Sequence, residues 1–197
     1  VRTRVPGGRV TADQFLAHLD LCEQYGNQTL RITTRQGFQL HGVVKDNLKA
    51  AVQGINRTLL TTKGACGDNN RNVMCCPAPI RNRPAFAEMQ TLAGALAQQF
   101  AAKSTAYHEI FLTDDSGTTQ NVAEWQPVEE PIYGKVYLPR KFKIGLCLPD
   151  DNCIDIYTQD LGFLAVVENE QIIGYNVLVG RSMGVNPAAA KRLVALG

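Results

Sequence analysis

Apolar residues recur at helical intervals in three stretches of the chain and alternate with polar ones in several shorter runs, a mixture that predicts an α+β fold. In TADQFLAHLDLCEQYG, residues 11–26, Phe15, Leu19 and Cys22 share one helical face. Thr11 and Gln14 stand at capping-box spacing before that helix, and Gly26 closes it. Residues 29–42 read as extended structure, either two strands or one bent at Gly37. KDNLKAAVQGINRTLL, residues 45–60, places Leu48, Ala51, Val52, Ile55 and Leu59 at helical intervals. The first 62 residues therefore predict strand, helix, strand, strand, helix, with the helices packed on the sheet.

TTKGACGDNNRNVMCCPAPI, residues 61–80, clusters Gly, Asp and Asn in its middle and ends in prolines. It reads as a loop feeding an extended piece and as a domain boundary, dividing the chain into residues 1–64 and 65–197. Pro84 starts a helix whose Phe86, Met89, Leu92, Ala93, Leu96 and Phe100 form a core-facing stripe. YHEIFL, residues 107–112, is a short strand, and residues 113–135 form a polar connection in which Trp125 is given no role. Four strand-like runs follow: KFKIGLCL, NCIDIY, LGFLAVVE and QIIGYNVLVG. No internal repeat stands out.

The charge balance narrows the function classes. Twenty Lys plus Arg against eighteen Asp plus Glu leave a formal charge of only +2, which argues against non-specific nucleic-acid binding as the main business of the chain. Any anion site must be built locally. No run approaches the roughly 20 apolar residues of a membrane span, and the first residues lack a signal pattern, so the expected location is cytosol or plastid stroma. The start at VRTRVPGG without Met and the end at KRLVALG suggest a fragment.

The six cysteines, Cys22, Cys66, Cys75, Cys76, Cys147 and Cys153, contain no C-x-x-C pair. Cys147 and Cys153 have a C-x5-C spacing, but a metal cluster needs about four thiolates. The cysteines are read as reduced, buried or incidental, and no metal ligand is assigned.

Polar residues carry more information. If residues 31–41 are extended, Arg31, Thr33, Arg35, Gln39 and His41 share one face, and Leu30, Ile32, Phe38 and Leu40 the other. A solvated outer face would explain this, although Lys and Glu are missing from it. Guanidinium forks beside Thr and Gln suit carboxylates and oxyanions. In YLPRKFKIGLCLP, Lys141 and Lys143 fall on one face about 7 Å apart, with Arg140 and Phe142 on the other. Such a pair either discourages edge pairing or embraces an anion. Arg71 among Asn69, Asn70 and Asn72, and Arg2 with Arg4 before PGG, add two further basic elements.

RTRVPGG, RITTRQGFQLHG, GACGDNNRNVM, YLPRKFK and GYNVLVG occur in this order and resemble the first half of assimilatory sulfite reductase haemoproteins, of the ferredoxin-linked cyanobacterial and plastid kind. The resemblance runs from about residue 1 to 184. It implies a ferredoxin-like half-domain followed by the start of an α+β sirohaem-binding domain. It also implies six-electron reduction of sulfite to sulfide, at sirohaem coupled to a [4Fe–4S] cluster, with ferredoxin as donor and the full enzyme a monomer.

By the same match Thr33, Arg35, Gln39, His41, Asn70 and Arg140 would bind sirohaem, whose many carboxylates suit that donor face. Arg2, Arg71, Lys141 and Lys143 would be the substrate-binding basic residues, the lysines as acids and the arginines as fixed anchors. The cluster-ligating cysteines of the family lie in the second half of the full protein, so this chain alone is not expected to catalyse. GRSMG, residues 180–184, departs from a glycine-rich family segment. Ferredoxin-linked nitrite reductase shares the plan, but LPRKFK with Lys143, in place of LPRKFN, favours sulfite. A non-catalytic anion or nucleic-acid binding module is the remaining alternative, although aromatic residues for base stacking are missing from the Arg-rich strand.

Overall fold

The computed structural model describes residues 1–80, 82–103, 111–113, 116–121 and 129–180. Its elements, in chain order, form an α+β architecture of two layered parts. The first begins with β1 (Arg2–Thr3) and a 3-10 turn at Pro6–Gly8. It continues with α1 (Ala12–Tyr25), β2 (Leu30–Ile32), β3 (Phe38–Leu40) and α2 (Lys45–Arg57). Its antiparallel sheet has the order β1-β3-β2. Thr11 and Gln14 form the reciprocal capping box that their spacing predicts, each side chain accepting the other's backbone N–H.

The buried face of α1 is His18, Leu21 and Cys22, whereas Phe15 and Leu19 lie at its rim, 37% and 40% exposed. The helix is rotated from the predicted face because His18 is wholly buried against Phe38, their rings 4.8 Å apart. Leu59 was expected on the core face of α2; the helix ends at Arg57, and Leu59 turns outward with φ +63° and 93% exposure. Ala51 and Ile55 supply the burial instead, joining Leu21, Cys22 and Leu40 between helices and sheet.

The second part is organised around α3 (Pro84–Gln99) and the sheet of β6 (Ile144–Cys147), β7 (Leu161–Glu168) and β8 (Gln171–Val179), ordered β6-β7-β8. The short hairpin of β4 (Phe111–Thr113) and β5 (Thr119–Asn121) lies between them in sequence. NCIDIY is not a strand: Ile156–Thr158 is a 3-10 turn whose Ile156 plugs a small cluster with Met74, Cys147 and Ile154. The α3 stripe is largely as predicted, with Phe86, Met89 and Ala93 buried and Leu92, Leu96 and Phe100 packed at its margin. The strand predicted over residues 107–112 is described only from Phe111 onward, and GRSMG with the tail lies outside the described residues beyond Gly180.

The segment read as a loop feeding an extended piece has surface residues at 61–68, and its extended piece, 69–76, is interior. Residues 69–76 run parallel to 142–146 through bonds from Arg71 N–H to Phe142 O (2.8 Å), Met74 N–H to Ile144 O (3.0 Å) and Leu146 N–H to Met74 O (2.8 Å). Val73 and Cys75 are wholly buried there. Gly7, at φ +63°, sits against this segment, its N–H donating to Val73 O at 2.9 Å. A Cβ at Gly7 would strike Gln90, whose amide donates to the Gly7 carbonyl, so glycine is needed for both conformation and contact.

Candidate functional site

The parts meet at a cleft of about 390 Å³ lined by Arg2, Arg4, Arg31, Arg35, Arg71 and Lys141, together with Thr33, Gln39 and Asn72. Each cation arrives by a different structural device. Arg2 and Arg31 both pair in register with Gln39, from opposite sides of β3, so the three side chains make one row across the sheet. Arg2 Nε donates to Gln39 Oε1 at 3.2 Å.

Between β2 and β3, Thr33 organises a tight loop. Its Oγ1 accepts the N–H groups of Arg35 (3.3 Å) and Gly37 (3.1 Å). A Cβ on Gly37 would approach Thr3 O to 2.7 Å, so the loop can close beside β1 only with glycine at that position. Thr33 to Arg35 therefore belong to a turn rather than an alternating strand, which corrects the predicted facing. Ile32, placed on the core face by alternation, ends the edge strand β2 and is 66% exposed.

The loop tip docks on the second part. Arg35 donates to Gln159 Oε1 (2.9 Å), Asn72 O (2.6 Å) and Ile144 O (3.2 Å), and Gln36 Nε2 donates to Cys75 O (2.6 Å). Burial, with a smaller contribution from Arg71 and against the pull of Asp160, pushes the Arg35 guanidinium down to about 10, which keeps it cationic near neutral pH. Asn72 is the counterpart: its amide donates to Val5 O (2.6 Å) and Arg35 O (2.8 Å) and accepts Val5 N–H (3.0 Å). No candidate list drawn from the sequence contained Asn72, and only its place in the Asn-rich NNRNV hinted at it.

Arg71 and Lys141 reach the same cleft from neighbouring chain segments, which run parallel with Asn70 paired to Phe142. Its Nε and Nη1 donate to the carbonyls of Gly67 (2.8 Å) and Ala65 (3.4 Å), which orients the guanidinium without neutralising it. Arg4 is buried, donates to Ala97 O at 3.3 Å near the C-terminal end of α3, and is the basic lining residue furthest from solvent. Burial, opposed by Tyr133, lowers its pKa. Arg4 and Arg31 complete the cation set and were not among the predicted site residues.

Of the predicted residues, Arg2, Thr33, Arg35, Gln39, Arg71 and Lys141 line this cleft; His41, Asn70, Arg140 and Lys143 do not. Arg140 forms an ion pair with Asp160 at 3.4 Å. Lys143 donates from Nζ to Thr158 O at 3.3 Å, and its backbone N–H bonds Asp160 at 2.8 Å, so the two lysines do not share the open face expected of a regular strand. Between them Phe142 is bridged to Asn70, and neither lysine is in a ladder among the described residues. Burial, then Arg35, Arg140 and Lys141, lower the Lys143 ammonium pKa, while Asp160 opposes them.

The donor set fits a polyanion. Six basic side chains and no carboxylate line the cleft among the described residues. Two buried donors in the lining, Arg4 Nε and Arg35 Nε, are also left without protein partners among the described residues. Orphaned buried donors cost about 1–3 kcal/mol each, and a ligand that supplies acceptors offsets that cost.

Comparison with known proteins places these features in a family. Residues 1–57 match the model of the nitrite/sulfite reductase ferredoxin-like half domain, and residues 66–196 that of the nitrite and sulphite reductase 4Fe-4S domain. The chain is 48% identical to the sulfite reductase [NADPH] hemoprotein beta-component of Staphylococcus saprophyticus, over 94% of this chain and 32% of that protein. It is 46% identical to the protein of the same name from Shouchella clausii, over 100% and 34%. The chain thus spans about a third of the length of these relatives.

Among solved structures, the Mycobacterium tuberculosis NirA protein superposes with TM-score 0.65 at 18% identity, over 92% of this chain and 28% of that one. Dissimilatory sulfite reductase I superposes with TM-score 0.59 at 17% identity, over 86% and 33%. Both share the fold. The cyanobacterial or plastid likeness expected from the motifs is not borne out, and the names of these relatives carry NADPH where ferredoxin was expected.

Proposed function

Because the chain belongs to the nitrite and sulfite reductase family, we propose that it forms the anion-gathering portion of a sulfite reductase haemoprotein that reduces sulfite to sulfide. The carrying observation is the cleft in which six cations from four separate chain segments converge with no acid among them. Sirohaem coupled to a [4Fe–4S] cluster would, when bound, pass the donor's six electrons to sulfite. Arg35, Thr33 and Gln39, which line the cleft, would hold its carboxylate rim.

Arg2, Arg71 and Lys141 bind the oxygens of sulfite. Their charge offsets the repulsion between an anionic substrate and a carboxylated cofactor. Arginine keeps its proton and serves as a fixed clamp. Loss of each substrate oxygen as water consumes protons, and Lys143, outside the cleft lining but with a lowered pKa, is taken as their source. Division of the chain near residue 64 belongs to this reading and accords with the limits of the two family models.

Electrons come from NADPH through a partner component, as the relatives' names suggest, and ferredoxin is the alternative donor. The protein is taken as cytoplasmic; no helix among the described residues is long and apolar enough to cross a membrane. The test is expression of the full protein with ample sirohaem synthesis. Visible sirohaem bands and sulfide production are expected, with turnover on sulfite exceeding that on nitrite. A colourless, correctly folded full protein would overturn the reading, and a preference for nitrite would move the substrate assignment to the related reductases.

A further inference from the structure

The cysteines lie apart from the cleft, and two of them meet an acid. Cys76 closes the interior segment of residues 69–76; it is buried, and its carbonyl is held by Gln90 Nε2 at 2.8 Å. After β6 the chain folds back on itself. Asp151 N–H donates to Leu148 O at 3.2 Å, and the Asp151 carboxylate accepts Cys153 N–H at 3.0 Å. The two thiol sulfurs and a carboxylate oxygen of Asp151 come to lie within 4.8 Å of one another. Neighbouring Asp150 is engaged by Arg83 at 2.8 Å, so that cation is directed to Asp150.

The C-x5-C spacing of the sequence points to Cys147 as the companion of Cys153, but Cys147 is buried in an apolar cluster. Its true neighbour is Cys76, 77 residues earlier in the chain. Two sulfurs and one carboxylate oxygen are a donor set for a borderline-soft divalent ion. Tetrahedral bonds of about 2.3 Å separate two sulfur ligands by about 3.8 Å, within reach of small side-chain rotations here. Cys76 is buried, Asp151 partly buried and Cys153 exposed, leaving the fourth position toward solvent.

We propose that Cys76, Asp151 and Cys153 bind one thiophilic divalent cation of the Zn²⁺ type, with water as fourth ligand. Binding exchanges the ion for two thiol protons, forming two metal–sulfur bonds and releasing two H⁺, while Asp151 contributes its existing negative charge. No electron transfer is involved. The bound ion would staple the 148–153 turn to the segment that carries Arg71, bracing the fold from the side away from the cleft.

The test is zinc uptake by the reduced, purified protein, measured by equilibrium dialysis with elemental analysis and by proton release in weak buffer. One high-affinity Zn²⁺ per chain lost on Cys153→Ser, about two protons released at that site, and affinity about tenfold or more weaker in Asp151→Asn are expected. Cys66→Ser, which alters an exposed cysteine outside the cluster, should bind as the parent does. Wild-type affinity in both Cys153→Ser and Asp151→Asn would overturn the proposal. So would a reduced parent protein that takes up no zinc. These readouts are independent of sirohaem and of turnover, so failure here leaves the sulfite reading untouched.

Discussion

Arg35 and Asn72 are bonded reciprocally: Arg35 Nη2 donates to the Asn72 carbonyl at 2.6 Å, and Asn72 Nδ2 donates to the Arg35 carbonyl at 2.8 Å. A loop of the first sheet and an interior segment of the second part are thereby locked in one register. The lock sets the row of Arg2, Gln39 and Arg31 opposite Arg71 and Lys141. Convergence of charge thus depends on a neutral amide that carries none itself.

Removing the Arg35 guanidinium should therefore cost stability as well as binding. Arg35→Ala leaves the Asn72 and Ile144 carbonyls and the Gln159 amide oxygen short of a donor, with an expected loss of about 2–4 kcal/mol. Arg35→Lys should restore only part, because one ammonium cannot span three acceptors held in a guanidinium fork. Urea unfolding midpoints check this, and an unchanged midpoint in Arg35→Ala would refute the lock.

Lys141 behaves oppositely, since it is exposed and makes no protein hydrogen bond among the described residues. Lys141→Ala should change stability by no more than about 0.5 kcal/mol, yet lower sulfite turnover by about 10²-fold in the assembled enzyme. Arg71→Ala should raise KM more than it lowers kcat if the guanidinium binds substrate and transition state alike. Steady-state kinetics beside thermal melts separate these outcomes. An equal loss of stability and activity in Lys141→Ala would count against a role at the anion.

The elements were largely legible in the sequence because their signals are local. The capping box at Thr11 and Gln14 and the apolar stripe of α3 act within a few residues of chain. The meeting of Arg71 and Lys141 in one cleft depends on the parallel pairing of segments about 70 residues apart, and no local period encodes it. Resemblance to a family grouped these two residues where periodicity could not. Alternation failed at Thr33 to Arg35 because it holds for a continuous strand, whereas hydrogen bonding by the Thr33 hydroxyl turns the chain. The same limit hid the meeting of Cys76 with Cys153, since spacing along the chain drew attention to Cys147.

His18 provides a pH signature in the first part. A carbonyl can only accept, so Nδ1 donates to Gln14 O at 2.7 Å, and in the neutral ring Nε2 accepts the Thr3 hydroxyl at 3.1 Å. Burial lowers its pKa, against the favourable bond to Gln14. The unfolded state then binds the proton more readily, so stability is complete above the unfolded value of about 6.5 and declines as pH falls from there through the folded value. His18→Gln should be less stable at pH 7 by about 1–3 kcal/mol but lose less between about pH 7 and 5. Denaturant midpoints across that range decide it, and parallel slopes in parent and variant would rule His18 out as the cause.

Lys143 yields the corresponding signature in catalysis. Its ammonium pKa is lowered from the ordinary 10.5 by burial first and then by Arg35, Arg140 and Lys141, with Asp160 opposing. A group that delivers a proton must be charged beforehand, so turnover should fall as pH rises through that lowered value, giving a descending limb that begins below the usual lysine range. Lys143→Gln keeps a donor toward the Thr158 carbonyl and cannot titrate. It should turn over sulfite about 10²-fold more slowly, with that limb missing, while the sulfite KM stays within about threefold. Lys143→Asn, which turns LPRKFK into LPRKFN, should also lower the ratio of sulfite to nitrite turnover. A full alkaline limb retained in Lys143→Gln would assign the proton to another group and leave Lys143 as a brace for the Thr158 turn.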